Sequence, residues 1–438
     1  MSQLPNGVKQ IEKCRISGSD KLISVLNLGE QALTGVCLAP DEADPISVPL
    51  DLVLCEESKF LQLKYTVDGD LMYSSYWYRS GTNQTMRDHL KDVVADASSF
   101  VDLKDDDTII DIGCNDGTLL SNYPKTLKRI GCDPSNAILD IKDETVHKVN
   151  NFFSYENVKE KLDGGKARII TSISMFYDLD NPHSFVDDID VCLADDGLWI
   201  VEMNYTGDMV HSLGYDMISH EHVAYYTLNT FERLIKSHGM YINHATFNTI
   251  NGGSIRIFVS RNKIETPEVA EIRQDEIDRG LEEVSTYIEY GERIKKFANN
   301  LSDLVKEITA KGEKVLVYGA STRGNTILQH TGMKRDLLPY AVERNPMKYG
   351  REMAGSRIPI ISEDEARKLK PEYMLVLPYY FLDEFLTRER EYLDAGGKFI
   401  VPLPDLRIIS VENGEIKETL VNLNASQSNN NVAKRNSE

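Results

Sequence analysis

The sequence predicts an α/β chain with two parallel sheets, each opened by a strand that breaks into a glycine turn. Three observations predict it. Thr108-Ile109-Ile110-Asp111-Ile112 is the β-branched apolar run that a buried parallel strand needs, Gly113 to Gly117 follow as a turn, and Leu119 and Leu120 open a helix. Lys314-Val315-Leu316-Val317-Tyr318 runs in the same way into Gly319-Ala320-Ser321-Thr322-Arg323-Gly324. Each unit leads to a second strand ending on an acid, Asp133 after Lys128–Cys132 and Glu343 after Tyr340–Val342. Strand, glycine turn and helix form the entry to a nucleotide-binding fold, because glycines let backbone approach a ligand and a helix start offers free N–H groups.

The first turn is not the dinucleotide fingerprint: Gly113 and Gly117 are four apart and Asp111 ends the strand. Asp133 follows Asp111 by twenty-two residues, where a ribose hydroxyl pair is held. This pattern resembles a class I S-adenosylmethionine-dependent methyltransferase. The competing reading is an ordinary tight turn in a flavodoxin-like domain, and the two acids in register favour the methyltransferase. Asp111, Gly113, Asn115, Gly117 and Asp133 are therefore expected at the cofactor, with Tyr177 from the loop Met175–Pro182 at the carboxyl edge of the sheet.

Bulk properties narrow the choices. A chain of 438 residues holds two or three domains, and 41% hydrophobic with 27% charged residues is an ordinary folding composition. A net charge of −20 argues against a nucleic-acid partner, since phosphate binding needs clustered Lys and Arg. No apolar run reaches membrane-spanning length, no signal peptide is visible, and six cysteines in so long a chain suggest reduced thiols and a cytoplasmic location.

In order along the chain, 1–70 is a small module with strands at Leu22–Gly29, Val48–Leu54 and Leu61–Tyr65. Cys14-Arg15-Ile16-Ser17 and Cys55-Glu56-Glu57-Ser58 each look like a Cys-x-x-Cys knuckle whose second cysteine is serine. Two thiolates do not make a structural zinc site, so Cys14 and Cys55 are weak metal candidates and a metal-free module is expected. The segment 71–263 reads as the methyltransferase core. It begins with an aromatic cluster, Tyr73, Tyr76, Trp77 and Tyr78, suited equally to packing and to a pocket wall, and a helix from Thr85 to Ala97. Strands follow at Ala167–Ser174 and Gly197–Met203, and Asn251–Val259 is entered through a glycine bend. Between them lies an insertion, 215–226, in which His220, Glu221 and His222 with Tyr225 and Tyr226 make a dense run of acid–base groups. In an extended segment His220 and His222 would share a face with Glu221 opposite; proton transfer is preferred there to metal binding.

A helical bridge, 264–312, starts at Thr266-Pro267, read as an N-cap with proline in the first turn. The second Rossmann-like unit, 313–423, offers Arg323 and a helix start for phosphate, and the polar tail 424–438 is expected to be disordered.

Taken together, Cys-Arg at 14, Asp-Ile-Gly-Cys-Asn-Asp-Gly at 111, His-Glu-His at 220, Asn-Gly-Gly-Ser-Ile-Arg at 251 and Gly-Ala-Ser-Thr-Arg-Gly-Asn at 319 resemble, from about 10 to 405, the three-domain sugar C-methyltransferases. That resemblance implies a zinc-ribbon-like N-terminal module, a class I methyltransferase core and a C-terminal Rossmann-like domain around one site. It implies methyl transfer from S-adenosylmethionine to C-3 of a nucleotide-linked 4-keto-6-deoxyhexose through an enolate. It places His222 as base or enolate partner, Glu221 as the residue orienting it, and Tyr76 or Tyr78 in the site. Asn251, Arg256, Ser321, Arg323, Asn325 and Glu343 are then expected at the sugar nucleotide. Two departures stand out: Ser219 precedes His-Glu-His where members often carry tyrosine, and both knuckles are broken. The alternatives are O-methylation of a sugar or related small molecule and a non-catalytic nucleotide-sugar binder. Oligomeric state is left at monomer or homodimer.

Overall fold

The computed structural model describes residues 4–73 and 78–421; Tyr76 and the tail expected to be disordered lie outside them. The central sheet has seven strands. Numbered 1 to 7 along the chain they are Thr108–Ile112, Lys128–Cys132, Val146–Val149, Ala167–Ile173, Leu193–Asn204, Tyr241–Asn248 and Ser254–Ser260, and in space they run 3-2-1-4-5-7-6. Strands 1 to 5 are parallel, and Ser254–Ser260 is antiparallel to both its neighbours. Every residue of Thr108–Ile112 is buried, as its apolar run requires. The order reverses between Thr108–Ile112 and Ala167–Ile173, and a crevice opens at the carboxyl ends of strands at such a point.

The C-terminal sheet repeats this logic. Val315–Tyr318 stands between Ala341–Glu343 and Tyr373–Val376, five strands are parallel, and a hairpin of Arg407–Glu412 and Glu415–Leu420 closes the far edge. The N-terminal module is an antiparallel sheet of Leu22–Ala32, Ser47–Cys55 and Leu61–Leu63. It is not free-standing. Ala224–Tyr225, just after His-Glu-His, adds its fourth strand, and Cys37–Leu38 pairs with Glu352–Met353 of the C-terminal unit. The bridge is two helices, Pro267–Asp278 and Val284–Ala310, the longer one burying Tyr287, Tyr290, Ile294 and Leu301.

Two local expectations are corrected. The chain after the glycine turn forms a single 3₁₀ turn, Leu120–Asn122, not an α-helix. Pro124 ends it, because the residue before a proline is pushed out of the helical region, and Tyr123 is extended at φ −83°, ψ 148°. The glycine turn therefore has no helix N-terminus behind it. Thr266 sits at the start of its helix with Pro267 in the first turn, but its side chain makes no capping bond; its hydroxyl meets His244 Nδ1 at 2.9 Å.

Candidate active site

One cavity of about 1430 Å³ spans both switch points. It is lined by Asp111, Gly113, Asn115 and Asp133 of the first unit, by Tyr177, Glu221 and His222, and by Ser321, Arg323 and Glu343 of the second.

The part expected at the cofactor is built by the glycine turn itself. Gly113 has φ 72°, and a Cβ there would come 3.1 Å from Met175. Gly117 (φ 77°) packs instead against Ile141, which a Cβ would meet at 2.8 Å, so it shapes the turn without reaching the cavity. Burial pushes Asp111 up to about 7, opposed by the Thr171 hydroxyl, which donates to it at 2.6 Å. Asp133 accepts from the Asn115 N–H at 2.9 Å and from the Ser135 N–H and hydroxyl at 2.8 and 2.5 Å. These bonds aim the Asp133 carboxylate at the cavity wall before any ligand arrives. Tyr78 lines the cavity, and its segment is tied down over the turn: Asn115 Nδ2 donates to the Tyr78 carbonyl, Ser80 N–H to Asn115 Oδ1, and Gly81 N–H to Asp116. A positive-φ turn, a preset strand-end acid and an overlying loop fit S-adenosylmethionine. Asp133→Ala is expected to weaken its binding more than tenfold, by roughly 1.5–3 kcal/mol for one charged hydrogen-bonding partner. Calorimetry showing unchanged affinity would remove Asp133 from the site.

The His-Glu-His run differs from its extended reading. His222 N–H donates to the Ser219 carbonyl at 3.1 Å, so the run is a turn. His220 swings into the N-terminal module, its Nε2 donating to the Val48 carbonyl at 3.0 Å, while Glu221 and His222 both face the cavity. The expected orienting role of Glu221 passes to a carbonyl: His222 Nδ1 donates to Met217 O at 2.7 Å. A carbonyl only accepts, so Nδ1 carries the hydrogen and the neutral ring keeps a free lone pair on Nε2. Tyr177 packs edge-on against this ring at 4.6 Å. Burial lowers His222 to about 4, against the pull of the Met217 carbonyl and with help from the Arg323 charge. Burial pushes Glu221 up to about 7.

The residues expected at a sugar nucleotide divide. Asn251 (φ 56°) and Glu343 line the cavity, and Glu343 is paired with Lys348 at 3.0 Å. Ser321 also lines it but caps the helix Thr322–His330 through the Gly324 N–H, and Asn325 holds the Ala354 carbonyl and the Ser356 hydroxyl. Arg323 is not a free phosphate ligand. Its Nε and Nη2 lie 2.9 and 2.8 Å from Asp216 Oδ2, and its face stacks on Tyr380 at 4.6 Å. Arg256 does not reach the cavity; it is buried in an ion pair with Glu202 at 2.8 Å and with Asp92 and Asp96. Sequence reasoning missed Met217 and Asp216. The visible signal was an aspartate inside the apolar run Tyr215-Asp216-Met217-Ile218.

The knuckle residues meet one another. Cys14 Sγ lies 3.3 Å from Ser58 Oγ and Ser17 Oγ lies 3.4 Å from Cys55 Sγ. Burial pushes the Cys55 thiol up, but hydrogen bonds from Ser17 and Ser58 outweigh it and hold the thiol below its ordinary value. Two thiols and two hydroxyls that bond to each other do not fit a four-thiolate zinc centre. Among the described residues no cluster of three or more His, Cys, Asp or Glu is placed to hold a metal ion. Purified protein is expected to carry far less than one zinc per chain; one equivalent by elemental analysis would refute this.

Residues 14–73 match a putative zinc binding domain, 82–245 a methyltransferase domain and 249–404 a C-methyltransferase C-terminal domain. These matches place the chain among S-adenosylmethionine-dependent methyltransferases. It is 29% identical over 414 residues to the C-methyltransferase NovU of Streptomyces niveus, covering 93% of this chain and 99% of that protein. Solved structures resemble only part of it. The Haloferax volcanii complex of the Trm112 methyltransferase activator with a putative methyltransferase matches at TM-score 0.35 and 15% identity, over 42% of this chain and 95% of that one. The plantazolicin methyltransferase BpumL, bound to a substrate analogue and SAH, matches at TM-score 0.32 and 14% identity, over 41% and 86%. Among the described residues of this methyltransferase, no helix is long and apolar enough to cross a membrane.

Proposed function

We propose that the enzyme methylates a carbon next to a ketone of a nucleotide-linked sugar, with His222 as the base. The observation that supports this is the single cavity, lined by the glycine turn after Asp111, by Glu221 and His222, and by the second glycine turn at Gly319. Bound S-adenosylmethionine supplies an electrophilic methyl on a sulfonium. Asp133 would hold its ribose hydroxyls. His222 Nε2 takes the proton from the carbon, and the Met217 carbonyl then stabilises the imidazolium through Nδ1–H. The electron pair of the broken C–H bond passes into an enolate. Glu221, protonated below about 7, donates a hydrogen bond to the enolate oxygen. Tyr78 and Tyr177 wall the site.

The neutral His222 and the protonated Glu221 coexist between the two values, so kcat/KM is expected to fall as pH rises through about 7 and Glu221 ionises. Glu221→Gln keeps a donor that cannot ionise and should lose this alkaline limb. A limb that survives in the variant would take Glu221 out of the role. The function itself is tested by NMR and mass spectrometry of products from a panel of nucleotide-linked ketosugars. A methyl group on oxygen would overturn it in favour of O-methylation.

A further inference from the structure

We propose that Arg323 and Asp216 form an interdomain clamp that fixes the Met217 carbonyl and, through it, the ring of His222. The inference rests on His222 being the base.

Arg323 stands in the first turn of the C-terminal helix Thr322–His330, yet its side chain reaches back to the methyltransferase core. Two of its nitrogens, Nε and Nη1, donate there, and Nη2 stands at ion-pair distance. Nε and Nη2 converge on Asp216 Oδ2, and Nη1 donates to the Asn251 carbonyl at 2.5 Å. The other carboxylate oxygen of Asp216 accepts from the Tyr379 hydroxyl at 3.1 Å, so the C-terminal unit holds both oxygens. Asp216 is fully buried. Burial works against the Arg323 charge, and the Asp216 carboxylate more than offsets it. Two residues on from Asp216, the Ile218 carbonyl accepts from Thr326 Oγ1 at 3.1 Å, again from the C-terminal helix.

Residues 216 and 218 are thus pinned from the other domain, and Met217 lies between them. With both neighbours fixed, the Met217 peptide cannot turn, and its carbonyl stays on His222 Nδ1. That bond selects the tautomer with a free Nε2 lone pair. A planar fork that makes two directed bonds to separate groups suits this task better than an ammonium, which acts as a point charge. The Asn251 carbonyl is caught by the same guanidinium, so the glycine bend at the cavity edge is tied to the same element. Arg323 and Asp216 are positioning residues: they act on the reaction through Met217 and His222.

The test uses the full chain with ¹⁵N-labelled histidine, the His222 signals being assigned by their loss in His222→Gln. In the wild type Nδ1 should read as the protonated nitrogen and Nε2 as the bare one. Arg323→Lys keeps the charge but loses the planar fork that spans Asp216 and the Asn251 carbonyl, and Asp216→Asn keeps the shape but loses the charge. Both should show a mixture of tautomers and a kcat reduced about 10–100-fold, the scale of a small misplacement. S-adenosylmethionine affinity should stay within about twofold in both, and KM for the sugar substrate within about twofold in Asp216→Asn, since Asp216 does not line the cavity. Tyr379→Phe removes one bond only and gives a weaker shift in the same direction should the stronger variants not fold. The clamp is refuted if the His222 tautomer stays pure in a folded variant, whether kcat is unchanged or falls together with cofactor affinity and melting temperature. Should His222→Gln keep full turnover, the base assignment fails instead, while the tautomer spectra still decide the clamp.

Discussion

His222→Ala is expected to slow methyl transfer about 10²–10⁴-fold, the usual worth of a positioned general base, or about 3–5.5 kcal/mol of barrier. Cofactor affinity should be unchanged, because Gly113, Asp133 and the Asn115 N–H that fixes Asp133 are untouched. A carbon acid beside a ketone exchanges its proton with solvent once a base reaches it. The wild type should therefore wash deuterium from heavy water into the position that is methylated, and His222→Ala should lose exchange and turnover in the same proportion. Equal losses locate the defect in proton removal. A variant that keeps exchange but loses turnover places His222 after the proton step, and one that loses S-adenosylmethionine binding places it at the cofactor. Either result removes it as base. Exchange absent from a wild type that turns over would point to a hydroxyl as the methyl acceptor.

What the sequence disclosed of this site depended on whether the cause was local. The strand-turn at 108–117 was legible because β-branched burial and glycine conformation are set by neighbours in the chain, and Gly113 indeed takes a positive φ. The length of the following helix was equally legible in Pro124, which an eye on Leu119 and Leu120 passes over. The density of acid–base groups at 220–222 pointed to the cavity wall, but which of them face it did not follow. An alternating strand would pair His220 with His222, and the Ser219 to His222 turn pairs Glu221 with His222 instead. Arg323 shows the wider limit. An arginine at a helix start after a glycine turn reads as an anion ligand, and nothing nearby contradicts that. Its true partner, Asp216, is 107 positions away and fully buried, and only tertiary packing brings the two together. Arg256 was misread for the same reason, since the strand places it opposite Glu202 and not toward the ligand.

Arg256→Ala is accordingly expected to cost stability, not substrate affinity. Arg256 and Glu202 are direct partners across the antiparallel strands Ser254–Ser260 and Leu193–Asn204, and both side chains are almost wholly buried. His89 from the helix Gln84–Phe100 meets the other carboxylate oxygen at 2.5 Å, and Asn248 Nδ2 donates to Glu202 at 3.1 Å. Asp92 and Asp96, more exposed at 65% and 39%, are screened by water and add little. The penalty therefore concentrates on Glu202. Truncating the arginine leaves a carboxylate in the sheet without its cation, which typically costs about 3–5 kcal/mol. Replacing both partners removes the stranded charge, so Arg256→Met with Glu202→Gln should recover a large part of the loss. Chemical denaturation of the single and double variants measures this coupling. A single variant within about 0.5 kcal/mol of wild type, the range of an ordinary surface substitution, would show the pair to be dispensable. A folded Arg256→Ala enzyme with normal stability and a raised KM for the sugar substrate would return Arg256 to the binding site.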